Sequence, residues 1–207
     1  MMNLEELEKQ VQLQEDIQEI ENLQRTYSYY FESQNIQGII GLFSDNAESV
    51  EITDHGLFKG KKGVIKLFRD WIGGGGERRG PPMSGGIVRI FQMQGVVDVE
   101  EDGKTAKGRW NCLDLEARPY GGVFRNYWLH GYYENKYVKE NGQWLLSKLH
   151  WNNTFWTPYE AGWLKTPLLG RMDEHPTIKA DAQPTAFYPY PSGYHLPYHY
   201  QHPITGK

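Results

Sequence analysis

Residues 123–155, VFRNYWLHGYYENKYVKENGQWLLSKLHWNNTF, decide the class of fold. Two runs rich in aromatic and β-branched residues flank Asn141-Gly142, a dipeptide typical of the tight turn of a β-hairpin. The sequence therefore predicts one strand over Val123–Val138 and another over Trp144–Phe155. Long strands joined by so short a turn form a bent antiparallel sheet, which must bury one face against other elements.

The elements that bury this face are predicted on the N-terminal side. Apolar residues at three- and four-residue steps predict a helix over Leu4–Glu32, and Asn35 is the predicted cap of a second helix over Ile36–Phe43. The remaining predicted elements are strands at Ala47–Thr53 and Leu57–Lys59, a helix at Lys61–Trp71, and strands at Ile87–Met93, Val96–Val99 and Thr105–Ala117. This order predicts an α+β fold, a cone-shaped antiparallel sheet closed as an α+β barrel around one pocket by the N-terminal helices.

Three segments are expected to lie outside this framework. Residues 1–13 are predicted to be a helical arm, and the seven glycines of Gly73–Gly86 predict a flexible loop that can act as a lid. Residues 157–207 are rich in Pro and aromatic residues, which predicts an extended tail packed on the domain or on a neighbouring subunit. Disorder of the tail is the alternative. Residues 14–156 then form a single domain.

Composition excludes several classes of protein. The net charge of -4 and the scattered Lys and Arg residues argue against a nucleic-acid partner. A lone cysteine, Cys112, rules out an internal disulfide and a cysteine metal cluster, and no apolar run reaches the about 18 residues of a membrane span. The acidic N-terminal residues do not resemble a secretion signal. We therefore expect a cytoplasmic protein without a membrane partner.

Two separated motifs point to a known family. The first is Tyr27-x4-Glu32-x2-Asn35, followed by Leu42-Phe43 and Ala47. The second is GYYENKYVK at 131–139, followed by Gly142-x-Trp144 and Lys148-Leu149-His150. Together they resemble the SnoaL-like branch of the nuclear-transport-factor-2-like (NTF2-like) superfamily. The resemblance covers about residues 14–156 and implies an NTF2-like fold. Members of the superfamily include scytalone and bile-acid dehydratases, polyketide cyclases, ketosteroid isomerases, lyases acting on lignin fragments, and non-catalytic binding modules.

The resemblance also implies residues of a site. Tyr27 and Glu32 occupy the positions of the Tyr and acid that point into the cone in dehydratase-like members, although the acid there is usually Asp. Those members carry a His on the strand after the lid region, whereas residues 89–93 here, RIFQM, contain none. Arg89 is the candidate to replace it, as a clamp for a phenolate or an alkoxide, and an exposed arginine at the sheet edge is the alternative.

Strand alternation adds further candidates. Arg109 and Asn111 share one face of their strand and form a polar pair if that face lines the pocket. An arginine inside a barrel needs a carboxylate, which Glu32 or Asp114 could supply, and a purely structural ion pair is equally compatible with the sequence.

The long strand offers two sets of side chains, of which only one can face a ligand. His130, Tyr132 and Glu134 share one face, and the other carries Arg125, Tyr127, Tyr133 and Tyr137, of which Tyr133 is the candidate site residue. His150 and Asn152 are expected near the mouth of the cone. His55, in the turn after the first strand, is a candidate general base, because the pKa of a free imidazole lies near neutrality.

No cofactor or metal is expected. His195, His199 and His202 lie in a Pro-rich segment without the helix that would present them as ligands. Gly73–Gly76 is not followed by the GK[ST] of a phosphate loop, and no dinucleotide fingerprint is present.

The sequence thus favours a cofactor-independent lyase that acts by acid/base chemistry. The aromatic content of 14% suggests a hydroxylated aromatic or polycyclic substrate. Such an enzyme would be dehydratase-like, or a carbon–carbon lyase that releases formaldehyde from a lignin-derived diaryl alcohol. The alternatives are an isomerase or cyclase of the same fold, or a non-catalytic binding or assembly module. A homo-oligomer, dimer or trimer, is expected to form through the exposed sheet face.

Overall fold

The computed structural model describes residues 3–75, 84–120, 123–167, 177–186 and 188–206. The helices are α1 Leu4–Glu32, α2 Ile36–Gly41, α3 Gly60–Ile65, which runs on as a π-helical segment over Lys66–Ile72, and α4 Gly162–Lys165. The strands are β1 Ser49–Ile52, β2 Gly56–Lys59, β3 Ile87–Val99, β4 Thr105–Tyr120, β5 Val123–Glu140 and β6 Gln143–Pro158. The α+β class is confirmed. Most of the predicted lid, residues 76–83, lies outside the described residues.

The six strands form one curved sheet in the order β2-β1-β6-β5-β4-β3. Two features of the prediction were wrong. First, β1 pairs with β6 in parallel, with Val50 opposite Leu149, so the sheet is mixed. These strands lie far apart in the chain, and only a tight turn between neighbouring strands would reveal their relative direction in the sequence. Second, β2 and β3 are the two outermost strands, and among the described residues the sheet does not close into a barrel.

The strand β3 also differs from the prediction of two short strands. It runs without interruption from Ile87 to Val99 and pairs with β4, with a bulge between Met93 and Val96. The bulge residue Gln94 has a positive φ of 51°. A local bulge with a polar residue and Gly95 looks like a turn in the sequence, although it only bends the strand.

The face of the sheet that packs against α1, here called the inner face, carries the core. The hydroxyl of Tyr137 donates to Gln24 Oε1 on α1 at 2.8 Å, and Asn135 Nδ2 donates to the same oxygen at 2.9 Å. Trp110 Nε1 completes the network by donating to the Tyr137 hydroxyl at 3.0 Å. A buried polar network of this kind holds the register between helix and sheet, because a shift would break its hydrogen bonds.

The first turns of α1 stand clear of this core. Leu4, Leu7 and Val11 are exposed, and burial begins at Asp16. The carboxylate of Asp16 accepts from Lys139 Nζ at 2.6 Å and from Trp144 Nε1 at 3.0 Å. This contact joins the helix to the β5–β6 hairpin.

The C-terminal residues cross the opposite side of the sheet, here called the outer face. Near the β2 edge, Leu57 N donates to Ala182 O at 2.9 Å, and Ala182 N donates to Leu57 O at 3.1 Å. The backbone N–H and hydroxyl of Thr185 both donate to the buried Glu51 Oε1, at 2.6 and 2.7 Å. The tail is therefore bound to the same chain by backbone and side-chain hydrogen bonds.

A second set of contacts holds the tail further along, around Arg109. Arg109 Nε pairs with Glu134 Oε2 at 2.6 Å, and Nη2 donates to Leu196 O at 2.8 Å and to Pro197 O at 3.1 Å. Its guanidinium lies 4.6 Å from the centre of the Tyr198 ring. Leu196 N in turn donates to the hydroxyl of Tyr132 on β5, at 2.7 Å.

Replacing Arg109 by Gln is expected to loosen this part of the tail. Charge-assisted hydrogen bonds contribute about 1.5–3 kcal/mol each, so we expect the amide hydrogen of Leu196 to exchange at least about tenfold faster. Hydrogen exchange followed by mass spectrometry or NMR measures this directly. Arg25→Gln on the exposed side of α1 is the matched control and should leave the exchange unchanged. Equal exchange at Leu196 in both variants would show that Arg109 does not hold the tail.

Candidate active site

Asp114 is the central titratable group of the inner face. Alternation along β4 places Trp110, Cys112, Asp114 and Glu116 on this face, and all four side chains are buried. The Cys112 thiol donates to Asp114 Oδ1, with an Sγ–Oδ1 distance of 3.0 Å. Asp114 retains only 8% of its exposure. β4 thus places the buried carboxyl group of Asp114 on the inner face of the sheet.

The surroundings of Asp114 favour its protonated form. Burial, which disfavours the charged state, raises the pKa of Asp114 to about 7, against the lowering effect of the thiol hydrogen bond. The negative charges of Glu116 and Glu32 raise that pKa further. Burial also raises the pKa of Glu116, although the positive charge of Arg118, at 2.8 Å, opposes the shift. An acid with a pKa near neutrality can give or take a proton under ordinary conditions.

Two neutral hydroxyl groups accompany this acid. The side chains of Tyr27 on α1 and Tyr133 on β5 are hydrogen-bonded, and their rings meet edge to face with centroids 5.9 Å apart. Burial raises the pKa of both phenols, and the charge of Asp114 adds to the rise. Both therefore keep their protons, and one of the two protons is donated within the hydrogen bond between them.

Glu32 and Arg89 meet at the β3 edge. Glu32 Oε1 accepts from the backbone N–H of Ile90 at 2.8 Å, and its Oε2 lies 3.8 Å from Arg89 Nη1. The side chain of Arg89 is half exposed and also donates to its neighbour Val88 O. The helix end that carries Glu32 is thereby fixed to the edge strand.

His55 lies beside Asp54 in the β1–β2 turn, at the edge of a cleft of about 410 Å³. Its Nδ1 is 3.4 Å from Asp54 Oδ1, and its ring packs 4.9 Å from that of Trp71. The opposite wall of the cleft consists of residues 179–184 of the tail. Asp54 also acts electrostatically on Glu116, so the cleft adjoins the acidic part of the inner face.

The structure separates the predicted site residues into two groups. Those that belong to the inner face or its edges are Tyr27, Glu32, His55, Arg89 and Tyr133. The other five lie on the outer face: Arg109, Asn111, His130, His150 and Asn152. The second group thus points away from the core. For Arg109, Asn111 and His130, strand alternation in the sequence did not decide which face they occupy.

The outer residues have partners of their own. Arg109 pairs with Glu134, directly opposite on β5, and not with Glu32 or Asp114. The Asn111 side-chain amide donates to Gln94 Oε1 at 2.8 Å, and the His130 ring stacks on Phe155.

The expectation that His150 and Asn152 lie at the cone mouth was wrong. His150 is buried on the outer face with Nε2 3.3 Å from Glu51 Oε1, and burial lowers its pKa although the charge of Glu51 opposes this. Asn152 lies opposite Tyr132 on the same face.

Asp114 was predicted only as a possible carboxylate partner of Arg109, and Glu116 and Asp54 were not predicted as site residues. A signal was present, because Trp110, Cys112, Asp114 and Glu116 alternate along one strand. Two acids that continue the buried face of an apolar pattern indicate burial near a site, since solvated acids normally occupy the opposite face. Within the described ranges, no group of three or more His, Cys, Asp or Glu residues could hold a metal ion. No helix in the described part of the chain is long and apolar enough to cross a membrane.

The model of the SnoaL-like domain family matches residues 12–150. The chain belongs to this family. The SnoaL-like resemblance predicted from the two motifs is therefore confirmed. No curated protein sequence matches this SnoaL-like protein.

Solved structures agree with the family assignment. A type 2 hexachlorocyclohexane dehydrochlorinase (LinA) superposes with a TM-score of 0.59 at 16% identity, over 72% of this chain and 92% of its own. A protein assigned as a scytalone dehydratase, from Novosphingobium aromaticivorans, superposes with a TM-score of 0.58 at 20% identity, over 78% and 98%. An NTF2-like protein from the same species reaches 0.50 at 17% identity, over 80% and 96%. At these identities the likeness establishes the NTF2-like fold.

Proposed function

We propose that this SnoaL-like protein is a cofactor-independent lyase that acts by acid/base chemistry on a small hydroxylated aromatic or polycyclic molecule. The observation that carries the proposal is Asp114, a buried acid whose pKa of about 7 makes it a proton donor at neutral pH. The two structural neighbours whose names describe a dehydrochlorinase and a dehydratase support an elimination reaction.

Asp114 and Glu32 take complementary roles in this reaction. Their environments differ, since Asp114 is buried next to other acids while Glu32 lies beside Arg89 and accepts a backbone N–H. Glu32 removes a proton from carbon, and Asp114 transfers its proton to the hydroxyl group on the adjacent carbon. The carbon–oxygen bond breaks, a carbon–carbon double bond forms, and water leaves. The proton balance needs no oxidant or metal.

Tyr27 and Tyr133 stabilise the charge that develops on the substrate. The pair is neutral and held by packing, and it has one hydroxyl proton that is not used between the two rings; donors that need no reorganisation lower the barrier most effectively. The ring of Phe68 packs edge to face against Tyr27 and fixes its orientation, and the ring of Trp71 packs against His55.

The same acid and base can serve related reactions. Expulsion of formaldehyde from a diaryl alcohol, isomerisation and cyclisation all begin with proton transfer to or from such groups. A mass-spectrometric turnover screen of purified, metal-stripped protein separates them. Incubation with hydroxylated aromatic, diaryl and steroid-like compounds is expected to give loss of water, about 18 mass units, whereas loss of about 30 units would indicate release of formaldehyde. No conversion of any compound would contradict the lyase proposal.

A non-catalytic assembly module that pairs through the outer sheet face is the second candidate. Its support is weaker, because the tail already contacts Glu51, Arg109 and Glu134 on this face. Along β3 the same face is exposed, and Ile87, Phe91 and Met93 offer the surface through which a homo-oligomer of this protein would form.

A further inference from the structure

The cleft beside His55 is formed by two parts of the chain that are distant in sequence. One wall is the β1–β2 turn, residues 53–56, within the family domain, and the other is residues 179–184, beyond the stretch that the family model matches. A volume of about 410 Å³ is within the range of pockets that hold small organic molecules.

The tail wall is held firmly in place. Asp181 accepts from Lys59 N at 2.8 Å and from Lys66 Nζ at 3.1 Å, and Ala182 is bonded to Leu57 through the backbone. Ala180 packs against the core, and its Cβ lies so close to Gly56 that any side chain on Gly56 would collide with it. A wall fixed by an ion pair, backbone hydrogen bonds and packing contacts is already ordered before a ligand arrives. Ligand binding therefore has a lower entropic cost.

Some polar groups of the cleft have no hydrogen-bond partner or no ion-pair partner among the described residues. His55 Nδ1 is buried and makes no hydrogen bond in the described part of the chain, because its approach to Asp54 Oδ1 at 3.4 Å is poorly aligned. At the rim, the charge of Asp181 is matched by Lys66, whereas Lys179 forms no ion pair among the described residues. A buried acceptor or donor without a partner is costly, so a ligand group that meets it gains affinity.

We propose that this cleft binds a small hydroxylated organic acid, with its hydroxyl against His55 and Asp54 and its carboxylate against Lys179. This orientation follows from the burial of the groups. Asp54 and His55 are nearly buried, whereas Lys179 is exposed at the rim, where a charged carboxylate can stay in contact with water. The tail is then a structural part of a binding site that the family domain alone would leave open. The inference goes beyond the proposed reaction and is tested by binding without turnover.

The test uses 4-hydroxybenzoate as the probe, because its hydroxyl and carboxylate lie at opposite ends of a rigid ring. Binding to the full-length protein is followed by NMR titration of the His55 imidazole signals. A ligand of this size is expected to bind with a Kd of about 1 mM or tighter. Two comparison ligands separate the contributions of the carboxylate and the hydroxyl to affinity. 4-Hydroxybenzamide lacks the negative charge, and benzoate lacks the hydroxyl. Each should bind several-fold more weakly than the probe.

Two variants assign the contacts. Lys179→Gln should raise the Kd of 4-hydroxybenzoate about three- to fivefold and remove the difference from the amide, as expected for one exposed charge pair. His55→Asn lacks the imidazole signal, so its binding is followed on the ring protons of the ligand; it should weaken the probe and the amide alike. Lys62→Gln on exposed α3 should change neither.

The proposal would be overturned by the absence of saturable shifts at His55, or by equal binding of acid and amide to the unaltered protein. Asp114→Asn serves to separate the two proposals, because it should abolish turnover and leave binding in the cleft intact. Loss of binding in Lys62→Gln to the same extent as in Lys179→Gln would also contradict the assigned site.

Discussion

Replacement of Asp114 by Asn is expected to lower kcat at least about 100-fold for any substrate that the turnover screen identifies. A positioned general acid contributes about 10²–10⁴-fold to rate, and Asn has the same shape without the transferable proton. The thiol of Cys112 can still donate to the side-chain oxygen, so the local geometry is conserved. Steady-state kinetics and a thermal melt of each variant separate chemistry from folding.

The pH dependence of the unaltered enzyme should reflect the same group. Asp114 donates only while protonated, so kcat/KM is expected to fall as the pH rises through about 7. The folded-state pKa lies above the ordinary value of 3.8, so the folded protein holds this proton more tightly than the unfolded chain. The stability that results is present below that ordinary value and is lost as the pH rises toward 7. Asp114→Asn should therefore melt at a higher temperature than the unaltered protein at alkaline pH.

A matched control for this variant is Glu101→Gln, which removes one acid from the exposed turn between β3 and β4. It should leave kcat, KM and the pH profile unchanged. Activity of Asp114→Asn within a factor of about three of the unaltered protein would remove Asp114 from the mechanism.

Gly131→Ala is expected to be the most destabilising small substitution in the sheet. A Cβ at Gly131 on β5 would lie 2.3 Å from the backbone oxygen of Asn152 and 2.8 Å from the Trp151 ring on β6. The carbonyl cannot rotate away as a side chain could, so the two strands must separate. Overpacking of this kind costs about 3 kcal/mol, which lowers the Tm of a chain of this size by about 6–12 °C.

Gly41→Ala is the matched control, since no atom lies within 4 Å of the added methyl group at the end of α2. Alanine is also the better helix former, so the Tm should stay the same or rise slightly. Calorimetry of both variants decides the point. If Gly131→Ala melts together with Gly41→Ala, the tight approach of β5 and β6 is not present in solution.

Local patterns in the sequence predicted most of the fold. The apolar spacing of α1 gives its bounds, and the Asn141-Gly142 turn identifies the β5–β6 hairpin. The parallel pairing of β1 with β6 and the open edges depend on long-range contacts, which no local pattern reports. The bulge in β3 was predicted as a turn, because only the pairing with β4 shows that the strand continues through it.

The site was harder to predict, because alternation identifies the residues that share a face but not the face that is covered. Arg109, Glu134 and His199 illustrate the difficulty, since charged residues on a strand are normally solvated. Here the tail covers them, and no local pattern predicts where the tail crosses the sheet. The role of Asp114 as proton donor was not predicted, because it depends on burial that results from packing between α1 and the sheet.

The most direct test of the account is an NMR titration of the Asp114 side-chain carboxyl carbon in ¹³C-labelled protein, assigned by comparison with Asp114→Asn. A midpoint at about pH 7 is expected. A midpoint near pH 4, the ordinary range of an aspartic acid, would mean that Asp114 is ionised at neutral pH and cannot be the proton donor.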